Sequence, residues 1–91
     1  MNNTQKLLKL RNLIDTVDEK IITAISERFR LVQKVGILKK QQSIPARDSI
    51  RWKKVLNNRM AFALSKNIDP YMVKKIYTII HFYALKVEKQ I

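Results

Sequence analysis

The sequence has no cysteine, one glycine and two prolines among its 91 residues. Without cysteine, disulfide scaffolds, thiol nucleophiles and thiolate metal sites are excluded. A single glycine excludes the P-loop and the G-x-G-x-x-G dinucleotide motif. Because tight turns depend on glycine and proline, the chain also lacks the corners of a sandwich, a barrel or a doubly wound sheet. These absences favour long helices with few turns.

Histidine and long apolar runs are also scarce. A single histidine, His81, excludes a multi-histidine metal site. The most apolar window, residues 77–85, is far shorter than the ~20 residues needed to span a bilayer. The N-terminal residues lack the apolar stretch of a signal peptide. We therefore expect a cytoplasmic protein with no membrane partner.

Positive charge is the strongest compositional signal. Nineteen Lys and Arg against seven Asp and Glu give a formal net charge of +12. Such an excess is typical of proteins that bind nucleic acid, anionic membrane surfaces or small anionic molecules. The densest basic patch consists of Arg47, Arg51, Lys53, Lys54 and Arg59.

Proline and aspartate predict where the chain turns. Residues 4–39 contain no proline, and Pro45 disfavours a helical residue before it, so the first helix ends ahead of that corner. A second helix is expected over residues 47–65. Asp69 suits an N-cap and Pro70 the first position of a third helix, which we expect to run to the C-terminus. The prediction is an all-α chain forming a single domain over its 91 residues.

The first helix carries an apolar seam of the coiled-coil kind, with alternating spacings of three and four. Its members are Leu7, Leu10, Ile14, Val17, Ile21, Ala24, Leu31, Val35 and Leu38. A helix over residues 4–39 would be ~54 Å long at 1.5 Å per residue. A compact globule formed by the whole 91-residue chain would be only roughly 30 Å across. The chain cannot cover the seam by itself, which predicts an intertwined homodimer.

One residue breaks the seam. The position four residues after Ala24, where the seam would continue, is occupied by Arg28. A buried guanidinium is costly unless an anion pairs with it. A plain interpretation is an ion pair on a neighbouring helix or a side chain that extends to solvent. Lys39, however, lies only ~20° away around the helix, and Arg11 lies on the same helix. Such long cations along a dimer groove suit a small molecule with two carboxylates.

A set of short motifs runs through the three helices. Its members are Leu10-Arg11, Ile14, Asp18-Glu19-Lys20, Glu27-Arg28, Val35-Gly36, Lys39, Pro45, Arg47-Asp48, Arg51, Leu56 and Asp69-Pro70. With them the sequence resembles the small all-helical chorismate mutases over nearly its whole length. The resemblance implies an intertwined homodimer that converts chorismate to prephenate, a step of aromatic amino acid biosynthesis, without a cofactor.

The resemblance also implies roles for the matching residues. Arg28 is expected to hold a substrate carboxylate, and Arg11 of the other subunit to hold a carboxylate across the interface. Lys39 is expected to bond the ether oxygen, where negative charge grows as carbon–oxygen cleavage runs ahead of carbon–carbon bond formation. Asp48 and Arg51 are expected to shape the pocket around the ring.

Three positions depart from the family pattern. Trp52 stands where the family has a glutamate that binds the ring hydroxyl, and Ala84 where it has a serine. Glu88 stands where a glutamine usually bonds the ether oxygen, unless a one-residue slip puts Val87 there. Because a carboxylate donates a hydrogen bond only when protonated, we expect kcat/KM to fall from about pH 5 to 8.

A sister activity on the same fold is an open alternative. Isochorismate pyruvate lyases resemble the same family and share the turn Ile44-Pro45-Ala46 and the run from Ile79 to Tyr83. Their substrate carries its hydroxyl on a different ring carbon, so a ring-hydroxyl glutamate is not required. The Arg47-Asp48 pair and Arg51 favour the mutase.

Two alternatives come from other classes of protein. A basic helical dimer that binds nucleic acid is suggested by the net charge and by Trp52 within the basic patch. No helix-turn-helix glycine turn supports it. A purely structural dimerisation module leaves the three cations of the first helix without a role. We therefore expect a small dicarboxylate, chorismate or isochorismate, as the partner.

Overall fold

The computed structural model describes residues 1–90 and consists of three α-helices. Helix α1 is Asn3–Gln41, α2 is Ser49–Ser65 and α3 is Pro70–Lys89. No strand occurs among residues 1–90, which confirms the all-α prediction. None of the helices in this range combines the length and the apolarity that crossing a membrane requires.

Aspartates set the starts of α2 and α3. Asp69 Oδ1 accepts a hydrogen bond from the Tyr71 N–H at 2.9 Å and Pro70 follows it, so the predicted N-cap is confirmed. Asp48 caps α2 in the same way, accepting from the Arg51 N–H at 3.0 Å. The second helix therefore begins two residues later than residue 47, because a cap residue has non-helical backbone angles. The expected run of α3 to the C-terminus includes Ile91, which lies outside the described residues.

The end of α1 is a left-handed turn. Ser43 has φ 56°, and the Ile44 N–H reaches back to the carbonyl of Lys39 at 2.8 Å. This pattern satisfies helix carbonyls that otherwise have no partner, and Pro45 follows because it cannot continue a helix. Asn67, with φ 59°, ends α2 with the same turn. The predicted corner before the second helix is confirmed.

The chain divides into two compact units, Met1–Leu31 and the residues from Val32 onward. The first unit belongs to α1 alone. None of its residues is buried. Ile25 and Phe29 are half-buried, and the other large apolar side chains of α1 in this unit are exposed by 47% at Leu7 to 67% at Ile22. By itself, the first unit therefore has no core.

The second unit has a small core where α2 packs on α3. Its buried apolar side chains, among residues 32–90, are Val55, Ala63 and Ala84. The Arg59 guanidinium lies 5.8 Å from the ring centroid of Tyr77 and so links the two helices. A core of three small side chains is small even for a short domain. Such a domain usually buries about 60% of the surface that its unfolded chain exposes.

Candidate active site

Lys39 is held in place at the end of α1. Its Nζ donates to the carbonyl oxygen of Ala46 at 2.8 Å and lies 3.0 Å from Oε1 of Glu88. The turn that ends α1 brings Ala46 back over the last helical turn, and α3 supplies the carboxylate. An ammonium group has three N–H donors, so the third can serve a substrate oxygen. The lysine side chain is 20% exposed and the glutamate 8%.

A cavity of about 260 Å³ surrounds this ion pair, with a lining formed by Gly36, Lys39, Lys40, Ile44, Ala46 and Glu88. Gly36 is buried and lies one helical turn before Lys39, on the same face of α1. The missing Cβ leaves room beside the ammonium, at a cost to the helix of about 1 kcal/mol relative to alanine. The volume is just below the ~300 Å³ at which ligand pockets begin.

Glu88, rather than Val87, contacts Lys39. Ala84 lies one turn earlier on the same face of α3 and is buried, so the helix presents a small side chain there. The Glu88 carboxylate and the Lys39 ammonium form an ion pair, so their charges offset each other. An ionised carboxylate only accepts hydrogen bonds, so Glu88 in this state is an acceptor for Lys39.

A second cleft, of about 310 Å³, opens where α2 begins. Its lining residues are Arg47, Asp48, Ser49, Trp52, Thr78, His81, Phe82 and Leu85. The rings of Trp52 and His81 stack face to face there, with centroids 4.0 Å apart and planes 9° from parallel. Asp48 lines the cleft while capping α2, and Arg51 is exposed.

His81 lines this cleft but was not predicted as a site residue. The available signal was its spacing, since it precedes Ala84 by three residues and Glu88 by seven. At 3.6 residues per turn, all three side chains lie on one face of α3. Its stacking on Trp52 joins two helices and had no signature in the sequence.

The remaining predicted residues, Arg11 and Arg28, lie in the first unit. Arg28 is half-buried, and its Nη1 atom is shielded from solvent. Arg11 is exposed. Their contacts with substrate carboxylates stay predictions.

The fold and the fixed ammonium define an all-helical protein with a polar pocket suited to a small anion. Residues 10–89 match the family model of chorismate mutase type II. A chorismate mutase from Methanocaldococcus jannaschii is 31% identical over 86 residues, which are 94% of this chain and 87% of that protein. The chain therefore belongs to the chorismate mutase type II family, whose members are isomerases.

Longer relatives show the same similarity over part of their length. The bifunctional chorismate mutase/prephenate dehydratases of Enterobacter agglomerans and Escherichia coli K12 are 30% and 28% identical over 80 residues. Those residues are 88% of this chain and 21% of each relative. The family and these names confirm the mutase prediction, and they do not favour the isochorismate pyruvate lyase.

Proposed function

We propose that the chain converts chorismate to prephenate in a pocket organised around Lys39. The observation that carries this proposal is the position of the ammonium, which Ala46 and Glu88 hold at 2.8 and 3.0 Å. A donor fixed before the substrate arrives need not reorganise as charge develops, which is the main source of electrostatic catalysis.

The proposed reaction is an isomerisation without a covalent enzyme intermediate. The ether carbon–oxygen bond of chorismate breaks and a carbon–carbon bond forms between the enolpyruvyl end and the ring, so every atom is retained. Lys39 stabilises the negative charge that develops on the ether oxygen. Arg28 and Arg11 of the partner subunit hold the two carboxylates, which confines the substrate to its reactive conformer.

An ionised Glu88 is unfavourable for this reaction. A carboxylate beside the ether oxygen repels the developing negative charge and offers no donor, whereas the protonated acid donates. We therefore assign Glu88 the role of a second donor to the ether oxygen in its protonated form. In the ionised form it remains the partner of Lys39 and weakens the field of the ammonium.

We further propose that the functional unit is a homodimer, with Arg11 crossing from one chain to the pocket of the other. The support is the apolar seam, because its residues Leu10, Ile14, Val17 and Ile21 are each more than half exposed. A second copy carries the same seam, so two-fold pairing covers both at once. The cytoplasmic location and the single domain over residues 1–91 stay predictions.

The direct test is incubation of the purified protein with chorismate and, separately, with isochorismate. We expect prephenate in the first tube and no salicylate or pyruvate in the second. A mock preparation from cells carrying the Lys39→Ala variant controls for contaminating host mutase. Salicylate plus pyruvate from isochorismate, with no prephenate from chorismate, would overturn the proposal in favour of the lyase.

A further inference from the structure

The Trp52–His81 stack fixes an imidazole ring in the cleft between α2 and α3. The two rings are 4.0 Å apart and nearly parallel, and both residues are half-buried. Face-to-face stacking uses the flat face of the imidazole and leaves its nitrogens at the edge of the stack. The stacked indole therefore sets the plane of the His81 ring.

Two other polar side chains of this cleft, Asp48 and Thr78, bond to the backbone. Asp48 Oδ1 accepts from the Arg51 N–H at 3.0 Å, and Thr78 Oγ1 donates to the carbonyl of Lys74 at 2.7 Å. Trp52 has a single N–H, which donates only. A neutral imidazole donates from one nitrogen and accepts at the other, which suits a hydroxyl group.

Helix α3 connects this stack to the Lys39 pocket. His81 and Glu88 lie seven residues apart on one face, about 10.5 Å along the helix axis. The buried Ala84 lies between them and projects only a methyl group. A six-membered ring with its substituents is long enough to contact His81 at one end and the Lys39 pocket at the other.

The substrate has four polar groups: two carboxylates, an ether oxygen and a ring hydroxyl. The proposed function assigns cations to the first three and nothing to the hydroxyl. We propose that His81 is a specificity-determining residue that hydrogen-bonds the ring hydroxyl, and that Trp52 is a positioning residue that holds its imidazole. This inference rests on the proposed function and identifies how the same pocket recognises its substrate.

The test separates the nitrogens of His81 from its aromatic face. His81→Phe keeps a ring to stack on Trp52 and removes both nitrogens. We expect kcat/KM for chorismate to fall about tenfold, mainly through KM, as for one hydrogen bond of about 1.4 kcal/mol. Tyr83→Phe, which removes a polar group from the same helix outside the cleft lining, is the matched control and should not change kcat/KM.

A chorismate analogue with hydrogen in place of the ring hydroxyl makes the test specific. Wild type and His81→Phe should have equal kcat/KM for this analogue, because the contact is absent in both. Equal losses for His81→Phe on chorismate and on the analogue would show a merely structural role and overturn the proposal. Undiminished turnover of chorismate by His81→Phe would overturn it too. Failure of the wild type to form prephenate would instead refute the proposed function.

The positioning role of Trp52 is tested in parallel. Trp52→Phe should keep a stacked ring and near-normal KM, whereas Trp52→Ala should raise KM for chorismate as much as His81→Phe does. Since Trp52 is the only tryptophan of the chain, its fluorescence also reports on the stack. Saturation with prephenate should change that emission in the wild type. An unchanged emission would place the stack outside the substrate pocket and contradict the proposal.

Discussion

The two units of this chain differ in how much they bury: the second has a small core of its own and the first has none. In the second unit, α2 and α3 pack together and bury Val55, Ala63 and Ala84, and Lys39 lies between two acceptors, the Ala46 carbonyl and the Glu88 carboxylate. The first unit, Met1–Leu31, buries no residue at all. Its apolar side chains have to be covered by something other than their own helix. In the proposed dimer a second copy would cover them, and the same helix carries Arg11 and Arg28, the residues predicted to bind the substrate carboxylates.

The largest expected effect comes from breaking the seam of the first unit. Ile21→Asp places a charge at a position that is 52% exposed within one chain and that the proposed dimer would bury. Burying such a side chain stabilises by about 1.5–3 kcal/mol, and an unpaired buried charge adds a larger penalty. We expect the dimer to dissociate and helix content to fall, as measured by sedimentation equilibrium and circular dichroism.

Thr23→Asp is the matched control for that variant. Thr23 is exposed and lies about 200° around the helix from Ile21, so the same charge there faces solvent. The control should remain dimeric and active. If both variants behaved alike, the seam would not be the interface.

The next largest effect concerns the cations of the two units. Lys39→Ala in the second unit and Arg28→Ala in the first should each lower kcat by roughly 10²–10³-fold, as for a lost transition-state donor. Lys34→Ala removes an exposed cation of α1 and should leave kcat unchanged. Steady-state kinetics measure all three. Near-normal kcat in an intact Lys39→Ala dimer would refute the ether-oxygen role.

A smaller effect is expected at Glu88. An amide donates a hydrogen bond that an ionised carboxylate cannot, so Glu88→Gln should raise kcat/KM about tenfold in steady-state assays. Glu19→Gln, which alters an exposed carboxylate of the first unit, should leave kcat/KM unchanged. An unchanged kcat/KM in Glu88→Gln would remove Glu88 from the reaction.

The smallest effect separates the two caps of the second unit. Asp69→Ala and Asp48→Ala should each lower the free energy of unfolding by about 1 kcal/mol, since each removes an N-cap acceptor. Only Asp48→Ala should also reduce kcat/KM, because Asp48 lines the cleft beside Trp52. Thermal denaturation and kinetics check both. Equal activity of the two variants would assign Asp48 a capping role alone.

Local chemistry explains how much of the fold could be predicted. Pro45 and the Asp69-Pro70 pair act within a few residues, so the sequence predicts both corners and the start of α3. Asp48 has the same capping chemistry as Asp69, but no proline follows it to mark the first helical position. The second helix was therefore predicted to begin two residues early.

The candidate site depends on contacts between helices, and these are less visible in a sequence. Lys39 and Glu88 could be named from the family resemblance, but their 3.0 Å contact needs the turn after α1 and the packing of α3. The Trp52–His81 stack joins residues 29 positions apart (81 − 52) on different helices. Helical periodicity predicts on which face of α3 His81 lies, but it does not predict which ring on another helix His81 stacks on.

Mixing inactive chains tests the shared site most directly. Arg11→Ala and Lys39→Ala dimers, each inactive alone, are unfolded together and refolded. If Arg11 crosses to the partner's pocket, half of the dimers are mixed and each has one intact site, so about a quarter of the wild-type activity should return. Mixing Lys39→Ala with Arg28→Ala should restore none, because the proposed function assigns both residues to the pocket of their own chain. No recovery in the first mixture, or recovery in the second, would contradict the account.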